Sequence, residues 1–385
     1  MKNSNLITLL NPPTLVFGKN SLNQFIHDFK TLGLKRLFIM SIDTLEDQLS
    51  SGIQELTASG VKVKICNTLK AEPTFAEFEV ILEEARSYRA DSVAGIGGGS
   101  VMDTAKLVAA QLLNTQSTEE ITGIRKLAER KTYLACIPTT AGTGSEVSPN
   151  ALFVNAEGNK VGVISPYLVP DAAYIDPVLT LSVPTHITAA TGIDALSHCL
   201  EAYTNKFAHP IVDVFALEGV RLVAQNLKRA CDNGDDLEAK TSIALGSMYG
   251  GMCLGPVNTA AAHALAYPLG TDFHIAHGLS VSLMLPAVME YCVSAAPERY
   301  AEVALALGAE PQASAMETAR QGILLLKELI RDCGLPHSLS DLGIPEDAIE
   351  SMATDAMKVQ RLLKNSVREI TRDDAVDIYH SAFNS

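Results

Sequence analysis

The sequence predicts two domains: an α/β domain on a parallel, doubly wound sheet over residues 1–182, and an all-helical domain over residues 183–385. Three observations carry this reading. A chain of 385 residues is longer than one hydrophobic core usually serves. The first half alternates short apolar runs with stretches of helical periodicity, which is the pattern of βαβ units. Beyond Pro184 the chain reads only as long helical stretches.

The elements follow in order. "LKRLFIMSI" is a short apolar run rich in strand formers, and "FEVILEEARSYRA" carries apolar residues at helical spacing. "DSVAGIGGGSVMDTAKLVAAQLL" passes from strand through glycines into a helix, and "TYLACIPTT" is a second buried strand. Around "DPVLTLSVPTH" the character changes, which places the boundary near residue 183. "ITAATGIDALSHCLEAYTN", "DVFALEGVRLVAQNLKRA" and "LEAKTSIALGSMYGGMCLG" then read as successive helices.

Composition narrows the function classes. Apolar residues make up 47% and charged residues 19%, as in ordinary compact proteins. Thirty basic residues against 44 acids give a formal charge of −14, a field that repels a phosphate backbone and disfavours nucleic acid as a partner. The seven cysteines, Cys66, Cys136, Cys199, Cys231, Cys253, Cys292 and Cys333, form no C-x-x-C pair, which fits reduced, buried thiols. "MKNSNLITLLNPPT" has too short an apolar run for a signal peptide, and no segment approaches eighteen consecutive apolar residues. The expectation is a cytoplasmic protein without a membrane partner.

Two loops in the first half are candidate ligand sites. "GIGGGSVMD" follows a strand and opens a helix. Glycines there let a phosphate approach the backbone, and the free amides at a helix start favour negative charge. Gly97, Gly98, Gly99 and Ser100 are therefore candidate pyrophosphate binders, although the run is not G-x-G-x-x-G and a plain tight turn fits it equally well. "IPTTAGTGSEVS" follows the next buried strand, and Thr139, Thr140, Thr143 and Ser145 are more hydroxyls than a turn needs. Two such loops after two parallel strands favour a dinucleotide site at the carboxyl ends of the sheet.

The second half holds a candidate metal site. Asp194 and His198 are four residues apart on a helix and share a face; alone they read equally well as a hydrogen-bonded pair. "HALAYPLGTDFHIAHG" adds His263, His274 and His277 within one short stretch. One carboxylate with two or three imidazoles suits iron or zinc better than calcium or magnesium.

These motifs resemble the iron-containing (group III) alcohol dehydrogenase family along nearly the whole chain. "NPPTLVFGKNSLNQF", "GIGGGSVMDTAK", "IPTTAGTGSEVS", "DPVLTLSVP", "TAATGIDALSHCLEAY", "HALAYPLGTDFHIAHG" and "REITRDDAVDIYHSAF" match its signatures in order. The resemblance implies a dinucleotide-binding domain followed by a helical metal-binding and catalytic domain. It implies Asp194, His198, His263 and His277 as metal ligands, leaving His274 outside the set. It also implies Gly97, Gly98, Gly99 and Ser100 at the pyrophosphate, with Thr139, Thr140, Thr143, Lys160 and Leu179 lining the rest of the cofactor.

The implied reaction is hydride transfer between NAD and a small alcohol or diol, with iron(II) the first choice of metal and zinc the second. Many family members carry a histidine where this chain has Tyr267, so Tyr267 is expected to shape the substrate pocket and His274 to take over a proton relay. Asp43, next to the aligned Ile42, is expected to bond the ribose hydroxyls. The lack of lysine or arginine in that loop favours NAD over NADP. The resemblance implies a homodimer or higher homo-oligomer, with a long exposed N-terminal strand as a natural pairing edge. Two other classes stand beside this one: a dehydroquinate-synthase-like lyase, and a non-catalytic metal- or nucleotide-binding protein.

Overall fold

Along the strand Arg36–Met40 the side chains alternate between two cores. Phe38 and Met40 pack with Phe78, Ile81 and Leu134 on one face of the sheet, while Leu37 and Ile39 pack with Phe25, Phe29 and Tyr174 on the other. A strand buried on both faces belongs inside a sheet covered by helices on both sides, which is the doubly wound arrangement. The computed structural model describes residues 6–69, 73–155 and 160–383. It divides into two compact units: a sheet unit of Leu10–Thr140 with Ser145–Thr180, and a helical unit running from Leu181 together with Ala141–Gly144 and residues 6–9.

The strands of the sheet unit are β1 (Thr14–Phe17), β2 (Arg36–Met40), β3 (Lys62–Cys66), β4 (Ser92–Gly97), β5 (Gly123–Ile124), β6 (Tyr133–Pro138), β7 (Asn150–Val154), β8 (Lys160–Ile164) and β9 (Ala172–Ile175). The main sheet is ordered β1-β9-β6-β4-β2-β3, and its paired strands are all parallel. All six residues of β4 are buried, as a central parallel strand requires. From β2 the chain moves outward to β3, then returns to β4 and continues the opposite way to β6. The reversal makes the carboxyl ends of β2 and β4 the switch point at which open α/β sheets bind ligands. Helix Phe75–Tyr88, which precedes β4, starts on a capping box in which Thr74 and Glu77 satisfy each other's orphan amides.

Two features differ from the sequence reading. A second sheet, β5-β8-β7, pairs β7 with β8 antiparallel, and "NALFV" and "KVGVI" show the alternation such a ribbon needs. The N-terminal strand β1 is an edge strand of only four residues, starting after Pro12 and Pro13, which have no amide to donate to a ladder.

The helical unit is organised around Thr185–Tyr203, which is continuously buried from Gly192 to Tyr203. Pro210–Asp232, Leu237–Leu254, Ala261–Phe273 and His277–Cys292 share its core. The window His277–Ala295 is long and apolar enough to cross a membrane by composition, and 67% of it is buried within this core.

Candidate metal centre and cofactor loops

Three helices bring the metal candidates together within the helical unit. Helix Thr185–Tyr203 carries Asp194, His198 and Glu201 at positions i, i+4 and i+7, which fall on one face. Helix Ala261–Phe273 carries His263 near its start, and His274 ends it in the left-handed conformation at φ 56°. The chain thus turns in a few residues, and His277 opens the next helix. Gly278 allows the approach of that helix: a Cβ there would lie 2.4 Å from the Ala190 carbonyl oxygen.

The geometry converges on one carboxylate oxygen. Asp194 Oδ1 stands 3.6 Å from His263 Nε2, 3.7 Å from His277 Nε2 and 3.9 Å from His198 Nε2. All three separations exceed a hydrogen bond. One ligand atom each from Asp194, His263 and His277 lies within 4.8 Å of the others. The rings of His198 and His263 stack at 4.7 Å between centroids. Asp194, His198 and His263 are buried, and His277 is half-buried.

The outer nitrogens are already engaged. His263 Nδ1 meets Glu201 Oε2 at 2.5 Å, and Glu201 Oε1 accepts the Ala262 amide at 2.6 Å. His198 Nδ1 lies 3.3 Å from the Gly142 carbonyl oxygen. Protons held on the Nδ1 atoms leave the Nε2 lone pairs turned toward Asp194, the tautomer a metal ligand needs.

Asp194 Oδ1 and His263 Nε2 are buried without a hydrogen-bond partner. Buried polar atoms are almost always satisfied, so this pair calls for a ligand. Two donors about 2.1 Å from a shared ion at a tetrahedral angle stand about 3.4 Å apart, close to the spacing here. The residues present fit a divalent first-row metal.

The electrostatics agree. Burial pushes the Asp194 carboxyl up, but His198, His277 and His263 outweigh it and hold the group well below the carboxylate range. Burial lowers His198 more than Asp194 restores it. For His263 burial also acts downward, but Glu201 and Asp194 overcome it and raise the ring to about 9. Two buried carboxylates around one imidazole attract positive charge, whether a proton or a cation.

Tyr267 and His274 take different places. Tyr267 is half-buried one helical turn beyond His263, its ring 6.4 Å from that of His277, and its hydroxyl accepts a 2.5 Å hydrogen bond from Arg361 Nη2. His274 is exposed at the helix terminus and outside the convergent group.

In the sheet unit, Gly97 closes β4, Gly98 is the N-cap, and helix Gly99–Gln111 begins with no side chain capping its first amides. Ser100 lies in that open first turn. Thr139 is buried and its amide donates to Gly97 O at 3.0 Å, which ties the second loop to the first. Thr140 stands beside Gly98: a Cβ there would lie 3.5 Å from Thr140 Oγ1. Asp43 is exposed and opens a single helical turn after β2. Lys160 begins β8, and Leu179 is buried in one of the sheet cores. Thr143 groups with the helical unit. The Ser145 hydroxyl is directed to Asp103 Oδ1 at 2.5 Å.

Three residues absent from the sequence reading matter here. Glu201 was signalled by its i+7 spacing from Asp194. Lys106, fully buried, donates to Ser148 O at 3.0 Å and Asn150 O at 2.8 Å and so braces the second loop from behind. Arg361 lies 94 positions from Tyr267, and no local pattern marks it.

Comparison with known proteins matches both halves of the chain. The family model "iron-containing alcohol dehydrogenase" matches residues 12–177, and "Fe-containing alcohol dehydrogenase family, C-terminal" matches residues 188–383. A long-chain-alcohol dehydrogenase of Geobacillus thermodenitrificans (strain NG80-2) is 37% identical, covering 97% of this chain and 95% of its own. A 1,3-propanediol dehydrogenase of Citrobacter freundii is 30% identical, covering 97% of each. The crystal structure of a 1,3-propanediol oxidoreductase superposes with a TM-score of 0.94 at 29% identity, covering 98% of this chain and all of that one.

Proposed function

The chain belongs to the iron-containing alcohol dehydrogenase family, and from that premise we propose that it interconverts a small alcohol or diol and the matching aldehyde or ketone. Membership implies a divalent metal and a nicotinamide dinucleotide as cofactors, and it does not favour the lyase and binding-protein readings. The observation that carries the proposal is the buried, unpartnered Asp194 Oδ1 with three imidazole Nε2 atoms turned toward it.

In this reading Asp194, His198, His263 and His277 hold the metal, iron(II) in preference to zinc. When bound, such an ion stabilises negative charge on the substrate oxygen, which lets an alcohol lose its proton near neutral pH. Glu201 fixes the His263 ring by accepting from Nδ1, and the Gly142 carbonyl does the same for His198. Tyr267 shapes the substrate pocket, and His274, exposed at its helix terminus, exchanges the proton with solvent. Gly97, Gly98, Gly99 and Ser100 receive the pyrophosphate at the uncapped helix start. Thr139, Thr140, Thr143, Ser145, Lys160 and Leu179 line the remaining cofactor. Asp43, just after β2 at the switch point, bonds the ribose hydroxyls and favours NAD over NADP.

A cytoplasmic location is consistent with seven buried, free cysteines. A homodimer or larger homo-oligomer would pair through edge strand β1, where Leu15 is exposed.

The test is to load the protein with iron(II), add NADH or NADPH with a panel of short aldehydes and ketones, and follow nicotinamide absorbance before and after chelation. Metal-dependent oxidation, faster with NADH, is expected. Equal turnover by the chelated protein, or none by protein of measured metal content, would sink the proposal.

A further inference from the structure

Arg361 stands out among the half-buried arginines. Arg130 and Arg299 each bond both oxygens of an aspartate, Asp171 and Asp213, and Arg221 does so with Glu218. Arg36 and Arg86 donate to main-chain carbonyls. Arg361, on the short helix Gln360–Leu363, gives one hydrogen bond to the Tyr267 hydroxyl and sits 5.7 Å from the centre of that ring. Among the described residues no carboxylate lies within ion-pair distance of it. A guanidinium has five N–H donors in a planar fork, so most of its capacity is uncommitted.

Its position gives that capacity a use. Tyr267 neighbours both Arg361 and the metal candidates: it is one turn from His263, its ring is 6.4 Å from that of His277, and its hydroxyl meets the guanidinium. A purely structural anchor for Tyr267 would need one donor and no charge. In a chain with a formal charge of −14, a guanidinium with no carboxylate partner among the described residues is a local positive site in a negative field.

We propose that Arg361 selects substrates: it pairs with an acid group at one end of a short aldehyde or alcohol whose reacting end faces the Asp194–His263–His277 cluster. The preferred substrate class is then a short-chain aldehyde with a terminal carboxylate or similar oxyacid. The fork of Arg361 receives the acid group bidentately, and the Tyr267 ring forms the apolar wall along the intervening carbons. This rests on the dehydrogenase reading above and narrows its substrate class.

The test compares kcat/KM for 4-oxobutanoate and butanal, which match in chain length and differ in charge, using the iron-loaded protein with its preferred nicotinamide cofactor. The wild type should prefer 4-oxobutanoate by about tenfold to a hundredfold, mainly through KM, as expected for one charge-assisted bidentate pair. Arg361→Leu should erase that preference. Arg361→Lys should keep part of it, which separates loss of charge from loss of fold. Equal use of the two aldehydes by the wild type, or an unchanged preference in Arg361→Leu, would overturn the inference while leaving the dehydrogenase reading intact. Reduction of neither aldehyde would overturn the inference, and inertness toward the whole panel of short aldehydes and ketones at measured metal content would overturn the dehydrogenase reading as well.

Discussion

In the sheet unit Asp103, Lys106, Ser145 and Ser148 are packed together, and in the helical unit Asp194, His198, His263 and His277 are. In the first group the Lys106 ammonium meets Ser148 O, Ser148 Oγ and Asn150 O, and Asp103 accepts from the Ser145 hydroxyl and the Leu152 amide. In the second, the outer nitrogens of His263 and His198 are engaged while Asp194 Oδ1 and His263 Nε2 have no partner. The difference separates a brace from a binding site. A cluster that satisfies itself stiffens the loop it holds, whereas one that leaves donors facing inward is complete only with a ligand.

The largest break in that contrast should come from Asp194→Ala, which removes the oxygen on which the histidines converge. Metal retained after gel filtration should fall to background, and kcat/KM should drop by about a thousandfold or more, equivalent to about 4 kcal/mol. Metal content equal to wild type would mean the open cluster is not the metal site.

The next effect concerns the brace. Burial raises the neighbouring Glu146 carboxyl to about 7, with its backbone hydrogen bond and Lys106 acting the other way. The folded chain therefore holds a proton that the unfolded chain releases near the ordinary value of 4.5. This contribution is present in full below that value and is lost as pH rises toward 7. Glu146→Gln should flatten that slope, worth on the order of 3 kcal/mol, in melts of metal-free protein across the window. An unchanged slope in the variant would mean that Glu146 is charged in the fold.

The smallest effect sharpens the contrast by touching the open cluster from outside. Glu201→Gln still accepts at His263 Nδ1 but removes a buried charge, and metal affinity should weaken by about 10–100-fold. Competition with a chelator measures it directly, and the change should grow in Glu201→Ala, which has no acceptor. An affinity insensitive to both would reduce Glu201 to a support for the Ala262 amide.

Legibility in the sequence followed the range of the interactions. The alternation before Pro184, the buried strands "SVAGIG" and "YLACIP", and the glycine turn after β4 are written in neighbouring residues, because period-two burial and helix-start amides are local properties. The antiparallel ribbon of β7 and β8 was missed because its alternating pattern lies beside a conspicuous polar loop. Glu201 was within reach, since it shares a helix face with Asp194 and His198. Arg361 was not, because its contact with Tyr267 joins segments far apart in the chain.

The sequence alone determined the fold class, the family resemblance, and which carboxylate and histidines were candidates, since each depends on residue type and short spacing. Tertiary structure alone decided that three Nε2 atoms face one carboxylate oxygen and that His274 turns away to end a helix. It also decided that Ser145 bonds Asp103 and that Arg361 bonds a phenol instead of a carboxylate. The physical reason is that a side chain's partner is set by how helices cross and which atoms are left without water. A single segment does not encode that.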